Sequence, residues 1–96
     1  MITEIAELTI DPEASEAFES AVAEARELFL QAPDCHSFRI DRVVETPGTY
    51  LLLVGWTSVE AHMERFRSSD AFQRWRALVS PFFIAPPAVR HTETVL

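Results

Sequence analysis

The chain has 96 residues, 48% of them apolar, and a formal net charge of −7. A single domain with one core is expected, and the acidic balance argues against a nucleic-acid partner, which needs a basic face to displace counterions. No apolar run approaches the roughly 20 residues of a membrane span, and the N-terminus lacks the basic-then-apolar pattern of a secretory signal, so a cytoplasmic protein without a membrane partner is expected.

Residues 2–10 alternate as a strand, with Ile2, Ala6, Leu8 and Ile10 on one side and Thr3, Ile5, Glu7 and Thr9 on the other. Asp11-Pro12-Glu13 is a helix start: a capping acid, a proline at the first helical position, and an acid at the positive end of the dipole. The helix that follows carries Phe18, Ala21, Val22, Ala25, Leu28 and Phe29 on one stripe, and Pro33-Asp34 closes it. A second strand runs over 35–44, where His36, Phe38 and Ile40 share a face. Thr46-Pro47-Gly48-Thr49 signals a turn, so this strand and the next, Tyr50–Trp56, form a hairpin. The Tyr50–Trp56 run is apolar on both faces. Thr57 with Glu60 three residues on reads as a capping box. It opens a helix over 58–80 that breaks at Ser68-Ser69-Asp70 and restarts with Ser69 as cap. Pro81 and Pro86-Pro87 end it, and residues 88–96 form a last strand.

The order β-α-β-β-α-β is a ferredoxin-like α+β arrangement, an antiparallel sheet with both helices on one face. A chain this short hides only about 60–65% of its unfolded surface. Its uncovered sheet face is apolar along the third strand, so a two-fold homodimer joining the sheets back to back is expected.

Several segments resemble the antibiotic biosynthesis monooxygenase family of dimeric α+β barrels. They are Pro33-Asp-Cys35, Trp56-Thr-Ser-Val-Glu-Ala-His62, Ser69-Asp-Ala-Phe72, and the tail with Pro81, Pro86-Pro87, Val89 and His91. The resemblance spans essentially the whole chain and implies the dimer and a pocket between sheet and helices. The family includes cofactor-free oxygenases of phenols and quinols, haem-degrading enzymes, and proteins without an assigned role. Its haem-degrading branch uses an Asn on the first strand, a Trp in the second helix and a His beyond it. This chain has no Asn, carries Phe66 at the aromatic position and Arg76 at that of the His, so haem degradation is not expected. Aromatic-polyketide oxygenases of the family also use a pocket Asn, so their residue set does not carry over either.

Oxygenation without metal or flavin needs a base titrating near neutrality, a donor for the oxyanion, and a dry aromatic box. His62 is the candidate base, since histidine alone titrates unaided in that range. Arg76 or Arg39 is the candidate oxyanion holder, and Trp56, Phe66, Phe72, Trp75 and Phe38 are candidate walls for a small aromatic or quinol. The same aromatics, at strand-end and helical spacing, also fit a plain packed core. His36 and His91 read as hydrogen-bonded structural histidines. Arg65, Arg67, Arg74 and Arg76 read as a solvated face paired with the acidic first helix, or as an attractor for an anionic ligand. The lone Cys35 reads as a small buried hydrophobe, and no Cys or His spacing suggests a metal. Neither metal nor cofactor is expected. The leading expectation is a cofactor-independent monooxygenase; the alternatives are a non-catalytic ligand-binding dimer with a role in a biosynthetic or stress pathway, and an isomerase or dehydratase needing only the base.

Overall fold

The computed structural model describes residues Met1–Leu96. Strand β1 (Ile2–Thr9) is followed by a short 3-10 turn (Pro12–Ala14) and helix α1 (Ser15–Leu30). Strands β2 (Cys35–Arg42) and β3 (Thr49–Trp56) make the hairpin. A π-helical segment (Ala61–Phe66), helix α2 (Asp70–Val79) and strand β4 (Ala88–Glu93) complete the chain. The sheet order is β2-β3-β1-β4 with every neighbouring pair antiparallel, the ferredoxin-like topology that the element order predicts.

Alternation along the strands decides which side is covered. Ala6 and Leu8 of β1, with Tyr50, Leu52, Val54 and Trp56 of β3, are buried beneath the helices. Helix α1 meets them with Phe18, Val22, Ala25 and Phe29, the predicted stripe. Phe29 is the hub: its ring lies 4.8 to 4.9 Å from those of Phe38, Phe66 and Trp75. The other side of the sheet carries no helix. Ile5, Leu51 and Leu53 lie there only half-buried, with Arg39 and Arg90 placed opposite Leu53 and Ile5 in the ladder.

Two turns are set by specific atoms. Asp11 caps the first turn, its carboxylate accepting from the Glu13 N–H at 2.9 Å. Gly48 holds φ +88°, and a Cβ there would sit 2.4 Å from the Ile10 carbonyl oxygen, so only glycine fits that turn.

Three expectations are corrected. The helix after β3 is capped by Ser58, whose hydroxyl accepts from the Ala61 N–H at 3.1 Å, while Glu60 makes no capping bond. Thr57 turns instead to the Asp34 carbonyl and to His36. A β-bulge between Cys35 and Ser37 takes His36 out of the alternation it was expected to share with Phe38 and Ile40. The last strand stops at Glu93, leaving Val95 and Leu96 exposed.

Candidate functional site

Glu4 is the residue around which the site is built. It shares the inward parity of Ala6 and Leu8, so the pleat drives its carboxylate under the helices, where it is 4% exposed. The register sets its neighbours. His91 stands directly opposite Glu4 across β1 and β4, and Trp56, on β3, is opposite Ile2 and so one inward step away. The Trp56 indole N–H donates to Glu4 Oε1 at 3.0 Å. From above, the π-helical segment supplies His62. Its carbonyl accepts from the Arg67 N–H five residues on, at 3.1 Å, the wide turn of a π-helix. The His62 ring is 3% exposed and stacks on Trp56 with centroids 5.3 Å apart and planes 15° apart. Its Nε2 lies 3.3 Å from Glu4 Oε1, and its Nδ1 pairs with His91 Nε2 at 2.8 Å.

This cluster opens on a cleft of about 610 Å³ between the sheet and α2. Glu4, Ala6, Leu8, Leu52 and Val89 form its floor. His62, Arg67, Phe72, Trp75, Arg76 and Val79 form its roof, with Phe83 and Pro87 at one end. The space between sheet and helix is therefore open, within the roughly 300–1,000 Å³ of small-ligand sites.

Of the residues singled out in the sequence, His62, Phe72, Trp75 and Arg76 meet in this cleft. Trp56 stands behind His62, and Phe66 packs between Phe29, Trp56 and Phe72. Trp56 and Phe66 instead line a separate groove of about 370 Å³ on the far side of the π-helical segment, with Asp34, Arg65 and Arg74. Phe38 and Arg39 line neither. They edge a groove of about 420 Å³ between α1 and β2, where Arg39 pairs with Asp41 at 3.3 Å. At that groove Glu19 accepts from the Tyr50 hydroxyl and from Arg42, both at 2.6 Å, and these two bonds hold its carboxyl below the usual range. The basic cluster is likewise divided. Arg67 and Arg76 border the cleft, whereas Arg65 pairs with Asp34 at 3.5 Å, and none of the four pairs with α1. His36 pairs with Thr57 Oγ1 at 2.9 Å near the surface, and burial pushes the half-buried Cys35 thiol up.

Burial sets the charges of the central pair. It raises the Glu4 carboxyl to about 7, against the lowering effects of the Trp56 N–H and the Arg67 charge. It lowers His62 to about 4, helped by His91 and Arg67. Near neutrality the wall of the cleft thus holds a neutral imidazole and a carboxyl poised between its two forms. With His91 Nε2–H donating to His62 Nδ1, His62 carries its own proton on Nε2, 3.3 Å from Glu4 Oε1. Sequence patterning gives Glu4 no role. The signal was an acid at an inward position between Ile2 and Ala6, and it gains meaning only once the register brings His91 and Trp56 beside it.

The family model described as antibiotic biosynthesis monooxygenase matches residues 1–78. The chain belongs to the antibiotic biosynthesis monooxygenase family. An uncharacterised relative from Bacillus subtilis, YczJ, is 33% identical over 95 residues, 99% of this chain and all of that protein. A crystal structure of an antibiotic biosynthesis monooxygenase family protein from Bordetella bronchiseptica is 44% identical and superposes with a TM-score of 0.95, over 99% of this chain and 97% of that one. SnoaB, a cofactor-independent oxygenase from Streptomyces nogalater solved as an asparagine-to-alanine variant, shares the fold at 17% identity. Its TM-score is 0.79, over 97% of this chain and 91% of that one. No helix of the chain is long and apolar enough to cross a membrane.

Proposed function

We propose that the protein is a homodimeric monooxygenase that needs no metal or flavin and acts on a small phenol or quinol in the cleft beneath α2. The observation that carries this reading is the buried Glu4–His62 pair at the wall of an open, aromatic-edged cavity of about 610 Å³. A base there removes the hydroxyl proton, and the anion gives one electron to O₂. The resulting radical and superoxide combine at a ring carbon that bears hydrogen. The peroxide so formed takes up a proton and loses water, leaving a carbonyl. Arg76, in the roof and without an acidic partner, holds the developing oxyanion, with Phe72 and Trp75 as the box. Family membership supports the reaction class, and the half-buried apolar open face of the sheet supports the dimer.

The test is oxygen uptake by purified protein given menadiol or an anthrone with no added metal or flavin. Uptake above the uncatalysed rate is expected, reduced by Arg76→Ala mainly through a lower kcat. No excess uptake across a panel of phenols, with thermal shifts still reporting ligand binding, would replace the oxygenase by a binding module.

A further inference from the structure

Both ring nitrogens of His62 face protein partners, and the ring is stacked on Trp56. Glu4 differs. Its Oε1 takes the Trp56 N–H and faces His62, while its Oε2 has no partner. No buried side-chain oxygen or nitrogen in the molecule is unpaired, so Oε2 is not sealed, and the space Glu4 borders is the cleft. We propose that Glu4 is the catalytic base, taking the ligand's proton on Oε2, and that His91 is a positioning residue acting on it through His62. The assignment rests on the reading that the cleft deprotonates its ligand.

In the step itself the ligand's O–H bond breaks, a new O–H bond forms on Oε2, and the electron pair stays on the ligand's oxygen. Nothing is oxidised or reduced at that point. His91 enters through proton placement. By donating Nε2–H to His62 Nδ1, it fixes the tautomer in which His62 presents Nε2–H to Oε1. The Trp56 N–H then bonds Oε1, the His62 Nε2–H lies 3.3 Å from the same oxygen, and Oε2 is left as the free acceptor. This is the base–orienter logic in which a third group sets the tautomer of the second. Without the His91 donor, the other tautomer, proton on Nδ1 and lone pair toward Glu4, is satisfied only by a protonated carboxyl. The groups facing the cluster are few. Arg67 from the end of the π-helical segment lowers both Glu4 and His62, Glu4 in turn raises Cys35 of β2, and Arg76 of α2 lies across the cleft.

The test compares wild type with Glu4→Gln, His91→Leu and His91→Gln in two measurements. One is the pH profile of kcat/KM for oxygen uptake with menadiol. The other is carboxyl carbon-13 NMR titration of Glu4 in the protein without ligand. Glu4→Gln is expected to lose at least about 100-fold in rate, the order of a general base, while still binding the oxidised quinone in a thermal shift. His91→Leu is expected to move the acid limb of the profile and the Glu4 titration upward together. His91→Gln, which restores an N–H within reach of Nδ1, is expected to bring both back. A Glu4→Gln enzyme at wild-type rate would overturn the base, and a Glu4 titration unmoved by His91→Leu would overturn the positioning role. A wild type with no turnover on any phenol or quinol would refute the proposed function and the catalytic role of Glu4. The titration would still decide the His91 link on its own.

Discussion

Glu4 and His62 are almost wholly buried side by side, yet burial drives their proton affinities in opposite directions and so gives opposite pH dependences of folding. The Glu4 carboxyl moves from an ordinary 4.5 to about 7 in the fold, so the folded chain binds the extra proton. Its contribution to stability is complete below pH 4.5 and is lost as pH rises toward 7. His62 falls from 6.5 to about 4, so the unfolded chain binds the extra proton, and its contribution is complete above pH 6.5 and lost as pH falls toward 4. Each shift corresponds to something on the order of 3 kcal/mol. Between about pH 4.5 and 6.5 the two slopes cancel. Wild-type stability from urea unfolding is expected to be nearly flat there, while Glu4→Gln unmasks a rise with pH across the same window. A flat profile in that variant would mean that His62 is not held neutral by the fold.

Among the elements, the π-helical segment and its junction with α2 set the roof of the cleft. Ser69 makes that junction: its hydroxyl accepts from the Phe72 N–H at 3.3 Å and donates to the Phe66 carbonyl at 2.5 Å. One side chain thus ends the π-helical turn and starts α2. Ser69→Ala is expected to destabilise the protein by about 1 kcal/mol, read as a lower urea midpoint with unchanged slope, and to weaken ligand binding because Phe72 follows the cap. The caps at Asp11 and Ser69 were legible in the sequence because each is a short-range pattern with one good candidate. At the helix after β3 two hydroxyls stand in a row, and tertiary structure decides between them: Asp34 and His36 engage Thr57, leaving Ser58 to cap. The π-helical turn left no trace, since a five-residue hydrogen bond changes no hydrophobic spacing over so short a run. Glu4 was hidden for a related reason. Alternation tells which side a residue faces, but only the pairing of β1 with β3 and β4 tells what it meets there.

At the scale of the molecule, the two flanks of the sheet are expected to serve different ends. The helix flank holds the cleft, whereas the open flank presents Ile5, Leu51 and Leu53 half-buried on the protomer. Leu53 sits at the middle of that flank, opposite Ile5 on β1 and Arg39 on β2. An apolar patch of this kind on a small domain is removed from water by a second copy, and the folded state then gains stability with protein concentration. Sedimentation equilibrium at micromolar concentration is expected to give two protomers, and Leu53→Glu, which places a charge at the centre of the face, is expected to give one. Because the cleft lies on the other side of the sheet, the monomeric variant should still bind a quinone, with a melting temperature that no longer depends on concentration. A wild-type protein that sediments as a single protomer would leave the open flank without its proposed partner. A Leu53→Glu monomer that had lost quinone binding would show that the second copy shapes the cleft across the sheet.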